Sequence, residues 1–380
     1  MNKLSTLVIF SLIFCGLIAQ PYPVGTLTTT YTDPARSNRS VPVEIHYPGV
    51  SAGNGVGVAP GTFPFVVFGH GFQMTASAYY PFADSLVERG YIVAFANTEN
   101  SFSPSHADFA KDLLFIYQTL IAEGSNGSSQ FMGHIVPRGA IAGHSMGGGA
   151  TVLSAQYGDS ATCYFTLAEA TTNPSSITAA QYLTKPYLSF AGSYDCIAPY
   201  STNQLPTYNA TTAACKWLIE ITGASHCNFG LSNAQCGIGE TFSGCANPPL
   251  SQSAQISTVL SYLYPYLDFY LNGNTPAQAT FDSVYTADAG SVKQRTCTAP
   301  TGIVNLEGQN LKVYPNPADN VLHMDLQPGQ KVCLSDIYGQ MIGDWTTDRT
   351  LDLSALSSRI YIVQTIDISG QVRTVKILKQ

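Results

Sequence analysis

Residues Gly143-His144-Ser145-Met146-Gly147 form a G-x-S-x-G pattern. A serine in that pattern can act as a nucleophile when a strand enters, the chain turns sharply at the serine, and a helix leaves. The turn demands small residues two positions to either side, and the helix N-terminus aims N–H groups at a developing oxyanion. A second strict match, Gly49-Val50-Ser51-Ala52-Gly53, lies in the same chain. Context separates them. Ser51 follows Pro48 in a loop with glycines at 49, 53, 55 and 57, and nothing helical comes after it. Ser145 is preceded by the apolar "GAIA" and followed by "MGGGATVLSAQY", a helix-compatible run. Ser145 is the candidate nucleophile.

A serine hydroxyl needs a base to take its proton, and the base needs an acid to orient it. For this turn the acid and the base are expected later in the chain, in that order. "PYLSFAGSYDCIAPY" offers Asp195 directly after an apolar strand, and "KWLIEITGASHCNFG" offers His226 directly after another. Glu169 is the rival acid, after the strand at 164–168. Asp159 falls before that strand, at the wrong edge. His106 and His134 precede the serine, His144 is expected to point away from it on the turn, and His323 lies far downstream. The oxyanion needs two donors. They are expected from the N–H of Met146 and the N–H of Phe72, with Gly69, His70 and Gly71 allowing the tight turn before Phe72. Gln73, Glu169, Ala170 and Ile197 are the candidate substrate contacts.

These groups need a scaffold that brings them to one edge. "FVVF" (65–68), "YIVAFAN" (91–97) and strands at 139–142, 164–168, 187–191 and 217–222 are short apolar runs. Helical patterns separate them. One follows "GHGF", with Pro81 near its start and Gly90 past its end. Another starts at a Ser105/Asp108 capping box and repeats Phe109, Leu113, Ile116 and Leu120 at helical spacing. A third covers 146–157, and the last is expected at 252–271. Such alternation predicts parallel βαβ units, an α/β fold whose ligands bind at the carboxyl ends of the strands. Residues 26–47 read as a pair of strands before this rhythm begins. After residue 297 comes a polar linker (298–310). From Leu311 short alternating strands predict a small all-β sandwich.

The 380 residues are 45% hydrophobic and only 11% charged, with a net charge of −7. An acidic chain without a basic run makes nucleic acid an unsuitable partner. Lys3, the apolar "LVIFSLIFCGLIA" and Ala19-Gln20 read as an export signal over residues 1–20, too short to span a bilayer comfortably. Cys15 raises a lipid-anchored alternative, which the bulky Phe14 before it disfavours. No later segment is apolar enough to cross a membrane. Of nine cysteines, eight follow the signal, with no zinc-like spacing. Disulfides are expected in an exported chain. Disulfides at Cys196 beside Asp195 and Cys227 beside His226 are expected to pin one or both of those loops, and Cys236 with Cys245 to close a small loop beyond His226.

"YTDPARSNRSVPVEIHYP", "FPFVVFGHGF", "GHSMGGGAT", "DCIAP" and "GASH" together resemble the cutinase, chlorophyllase and platelet-activating-factor-acetylhydrolase-like branch of the α/β-hydrolases, over residues 22–272. "GHSMGG" with "DCIAP" and "GASH" looks most like bacterial cutinases and polyester hydrolases. The resemblance implies an α/β-hydrolase fold, with a mostly parallel central sheet flanked by helices, over residues 21–297. It implies Ser145 as nucleophile, Asp195 as acid, His226 as base, and Phe72 with Met146 as oxyanion donors. This chain departs from the polyester-cleaving relatives at one wall of the site. They usually carry a tryptophan after the strand matching "YFTLA"; here Glu169-Ala170 stand there, and Trp217 and Trp345 lie elsewhere. Residues 311–380, with "VYPNPADNVLHM", "LSDIYGQ" and "SRIYIVQT", resemble the C-terminal sorting domain of type IX secretion. That implies handling by the type IX machinery and an extracellular or cell-surface destination.

The expectation is a secreted serine carboxylic-ester hydrolase of the cutinase, lipase or polyester-hydrolase kind, acting on a small or polymeric ester. It is expected to act as a monomer and without cofactor or metal. A secreted peptidase on the same fold, or a non-catalytic surface adhesin, stay open as alternatives.

Overall fold

A computed structural model describes residues 21–297, 311–326, 329–336, 341–366 and 372–380. The expected signal at 1–20 and linker at 298–310 lie outside the described residues. The chain divides near residue 300 into two units.

The first unit is built on one ten-stranded sheet. Its strands are β1 (Val24–Asp33), β2 (Arg39–Pro48), β3 (Gly53–Asn54), β4 (Phe63–Gly69), β5 (Ile92–Ala96), β6 (Ile135–His144), β7 (Cys163–Leu167), β8 (Tyr187–Gly192), β9 (Cys215–Ile221) and β10 (Ser291–Cys297). Their order is β10-β9-β8-β7-β6-β4-β5-β2-β1-β3. Neighbours from β5 through β4 to β9 run parallel, and β1, β2 and β10 add antiparallel pairs. Every residue of β4, β5, β7 and β8 is buried, as expected of strands covered on both faces.

The helices are α1 (Tyr80–Val87), α2 (His106–Glu123), α3 (Met146–Tyr157), α4 (Ser176–Ala179), α5 (Gln204–Ala210), α6 (Ala234–Phe242), α7 (Gln252–Asn272) and α8 (Pro276–Ala287). α2 begins at Ser105, whose hydroxyl accepts the Asp108 N–H at 3.2 Å. Its apolar repeat, Phe109, Leu113, Ile116 and Leu120, is fully buried. Two apolar clusters form, one holding Val66, Phe68 and Phe165 with α7, the other Phe65, Val67 and Ile141 with α2 and α3. Those strand residues alternate along β4, so the sheet separates the two clusters.

The expected α/β sheet is present. The reading that the last helix ends near 271 falls short, because α8 and β10 follow. α8 buries only Ala277 and Phe281, and β10 is an edge strand with Lys293 and Arg295 on it. Neither offers a strong apolar period to read.

The second unit holds a three-stranded and a four-stranded sheet. β11 (Val313–Tyr314), β12 (Val321–Met324) and β15 (Thr350–Asp352) form the first. β13 (Lys331–Asp336), β14 (Met341–Thr346), β16 (Ile360–Ile366) and β17 (Val372–Leu378) form the second. All paired strands are antiparallel. Leu322, Met324, Leu334, Leu353, Tyr361, Val363 and Ile377 form its own core.

Candidate active site

The sheet order reverses around β4, with β5 on one side and β6 on the other. Gly69 and Gly143, near the carboxyl ends of β4 and β6, are register partners. Crevices at such a switch point are where open α/β sheets bind ligands.

Ser145 sits between β6 and α3 with φ 53° and ψ −118°. A left-handed φ is rare outside glycine, so the surroundings must hold it. They do: Ser145 N–H donates to the Leu167 carbonyl (3.0 Å), and its carbonyl accepts from Gly149 (2.9 Å) and Ala170 (3.0 Å). The glycines around it are needed for close approach. A Cβ on Gly143 would lie 2.4 Å from Gly147 backbone, and one on Gly147 would lie 2.1 Å from the Gly69 carbonyl oxygen. Ser51, by contrast, is exposed at a bend between β2 and β3.

Asp195 follows β8 and His226 follows β9. The structure brings both to Ser145. Ser145 Oγ lies 2.8 Å from His226 Nε2, and His226 Nδ1 lies 2.7 Å from Asp195 Oδ2. A carboxylate only accepts, so Nδ1 carries hydrogen and Nε2 offers its lone pair to the serine hydroxyl. Asp195 Oδ1 accepts from the N–H groups of Ile197 (2.9 Å) and Ala198 (2.8 Å), which orients the carboxylate. Ser145, Asp195 and His226 are 8%, 6% and 2% exposed.

The loop after β4 turns at residues 71–74, where Met74 N–H donates to the Gly71 carbonyl at 2.9 Å. That carbonyl faces the turn interior, so the Phe72 N–H of the same planar peptide faces the other way. Met146 N–H, at the first position of α3, has no intrahelical acceptor. Among the described residues neither N–H has a backbone partner outside the helices and strands. The turn's left-handed residue is Gln73 (φ 56°), and not one of the glycines expected to make it. Gly69 and Gly71 serve close approach instead, Gly69 lying against Gly147.

The four candidate substrate contacts fare differently. Gln73 turns its amide to the carbonyls of Asn100 and Ser101, 2.9 Å from each, so it braces the neighbouring loop. Glu169 is only 1% exposed. Its carboxylate accepts from Thr166, Tyr187 and Ser189, and so it faces the interior and away from any substrate. Burial lifts its carboxyl to about 7, against the downward pull of those hydroxyls. The sequence hides this, since a glutamate after a strand reads as a surface residue. Ala170 and Ile197 are half-buried beside the site. Two of the other histidines are engaged elsewhere: His106 Nδ1 accepts from Asn173 N–H, and His134 Nδ1 lies 2.9 Å from the Gly61 carbonyl.

Both site loops carry disulfides, Cys196–Cys245 and Cys227–Cys236. The expected Cys236–Cys245 pair is therefore wrong. Cys245 instead pairs with the cysteine after Asp195, and Cys236 with the cysteine after His226. Cys215–Cys297 joins β9 to β10, and Cys163 and Cys333 are free and buried. Among the described residues no cluster of three or more His, Cys, Asp or Glu is arranged to hold a metal ion.

Phe72, Phe102 and Phe242 stand 45%, 81% and 88% exposed, and the rings of the first two lie 6.4 Å apart. These are large rings on the surface, whereas Trp217 is in the core.

Residues 37–243, which carry this whole arrangement, match the family model described as PET hydrolase-like. The chain belongs to the PET hydrolase-like family. Residues 312–380 match the secretion system C-terminal sorting domain, the second unit of the structure. This member of the PET hydrolase-like family is thus an exported protein, bound for secretion or the cell surface. No curated protein matches the chain. Among the described residues no helix is long and apolar enough to cross a membrane.

Proposed function

We propose that the chain is a serine carboxylic-ester hydrolase working through Ser145, His226 and Asp195. The observation that carries the reading is the continuous run of hydrogen bonds Ser145–His226–Asp195, at 2.8 and 2.7 Å, at the switch point of the sheet. His226 Nε2 takes the hydroxyl proton as Ser145 Oγ attacks the ester carbonyl. Asp195 holds the ring in the required tautomer and stabilises the imidazolium. The N–H groups of Phe72 and Met146 receive the negative charge on the carbonyl oxygen. His226 then returns the proton to the alcohol, which leaves an ester on Ser145. Water, deprotonated by His226, releases the acid and restores the serine.

The test pairs turnover of p-nitrophenyl butyrate with fluorophosphonate labelling. The wild type is expected to hydrolyse the ester and to gain one label at Ser145. Ser145→Ala should lose both, with kcat lower by about 10⁴-fold or more. A wild type left unlabelled, or a Ser145→Ala variant with wild-type turnover, would overturn the reading. Faster cleavage of a peptide anilide than of the ester would point to a peptidase on the same triad.

A further inference from the structure

The loop after β4 and the loop carrying His226 are joined through buried side chains that the steps above do not use. Gly71 N–H donates to Tyr79 Oη at 2.9 Å. Tyr79 Oη lies 2.9 Å from His144 Nδ1, and His144 Nε2 lies 3.1 Å from the His226 carbonyl oxygen. Tyr79 and His144 are both 0% exposed.

The proton directions follow. A carbonyl only accepts, so His144 Nε2 carries hydrogen. Burial, reinforced by the neighbouring His226 ring, holds His144 well below the ordinary imidazole value, so the ring is neutral and Nδ1 is a lone pair. Tyr79 therefore donates to Nδ1 and accepts from Gly71. The rival for its proton, Met74 Sδ at 3.2 Å, is a weak acceptor. Every donor from Gly71 to the His226 backbone then faces an acceptor.

Packing points the same way. A Cβ on Gly71 would lie 2.8 Å from Met74 Sδ, 3.0 Å from His144 Nδ1 and 3.2 Å from Tyr79 Oη. A side chain at this position would have to displace Met74 and crowd both members of the pair. The His144 and His226 rings also pack together, with centroids 4.7 Å apart. His144 thus lies beneath the base, a contact that its position next to Ser145 in sequence does not suggest.

We infer that Tyr79 and His144 are a positioning pair, which fixes the Gly71–Phe72 backbone and the His226 ring relative to each other across Ser145. The inference rests on the ester-hydrolase reading. Neither residue touches substrate. One end holds the amide just before the proposed oxyanion donor, and the other holds the backbone of the base. A loop free to drift on either side would misalign the attack geometry.

Tyr79→Phe keeps the buried ring and removes only the bridging oxygen. It should lower kcat on p-nitrophenyl butyrate by about 10- to 100-fold, with KM within about twofold. His144→Leu should do the same. His144→Gln should keep most of the rate, because an amide can accept from Tyr79 and donate to the His226 carbonyl. The Tyr79→Phe/His144→Leu double variant should be within about twofold of the slower single, since both break one connection. Nitrogen-15 shifts of the histidine rings should report the Nε2–H tautomer for His144 in the wild type and in Tyr79→Phe, with the Nδ1 signal displaced in the variant because it has lost its donor. Unchanged kcat in Tyr79→Phe, losses that multiply in the double variant, or an Nδ1–H tautomer in the wild type would overturn the pair. A wild type inert to both ester and fluorophosphonate would instead sink the hydrolase reading, while the tautomer measurement still decides the pair.

Discussion

Glu169 is the residue whose chemistry the fold changes most. Its neighbours are hydroxyls, and no cation offsets the loss of water, so burial dominates and the carboxyl rises from 4.5 to about 7. The sign of the consequence is fixed by linkage. Between these two values the unfolded chain has released the proton and the folded chain still holds it. The folded state therefore binds more protons in that window, and the group's contribution to stability falls as pH rises through it. The full cost, on the order of 3 kcal/mol, applies above about pH 7. Glu169→Gln keeps the size and removes the charge; its amide oxygen can accept from the hydroxyls on one side while its NH2 donates on the other, as the O–H of a protonated carboxyl would. Its melting temperature relative to wild type is expected to climb by several degrees between pH 5 and pH 8. Paired thermal melts across that range check this; a difference flat in pH would show that Glu169 is not held protonated. The neighbouring glycines are less forgiving. Gly147→Ala forces a Cβ to 2.1 Å from the Gly69 carbonyl oxygen. It should abolish labelling of Ser145, because the elbow cannot form around it.

The segment from Leu231 to Leu250 acts as a brace for two loops. Cys227–Cys236 closes a separation of 9 residues and Cys196–Cys245 one of 49. Glu240 adds a hydrogen bond from Cys227 N–H at 3.1 Å. Replacing Cys227 and Cys236 together by serine removes about 2–3 kcal/mol of chain-entropy stabilisation. It should also lower kcat about tenfold while KM changes little, because His226 is the residue just before Cys227. Steady-state kinetics and a thermal melt of the double variant test both effects; equal kcat with a lower melting temperature would make the bridge purely structural. How much of this was legible varies by element. Strands buried on both faces announce themselves as apolar runs, so the sheet could be read, and with it that Ser145, Asp195 and His226 each follow one of its strands. Cysteine pairing could not, because Cys236 and Cys245 are close in sequence and the backbone path that separates them is tertiary. Tyr79 carries no motif at all. Its meaning comes from three atoms supplied by Gly71, Met74 and His144, and no local pattern encodes that meeting. β10 escaped because an exposed edge strand needs no apolar face.

At the scale of the chain, hydrophobic cores that do not extend from one unit into the other imply two independent folding problems. Leu322, Met324, Leu334 and their partners form a cluster made only of residues beyond 310. A chain ending at residue 299 is therefore expected to keep its ester hydrolysis and its melting transition. In a host with the type IX machinery it should stay in the periplasm and not reach the medium. Cell fractionation with an activity assay on each fraction checks both halves; activity in the medium at wild-type level would remove the second unit from the export route.

The crosslink from Cys215 to Cys297 sits at the last described residue before the sorting unit. β10 is the sheet's outermost strand on that side and the last in sequence before the tail. A pull on the tail, or an exopeptidase working inward from it, would otherwise peel that edge first. Sulfur chemistry stops the peeling at its first step. Whatever tugs at the exported chain, or trims it, must break a covalent bond before the sheet behind Ser145 feels the loss.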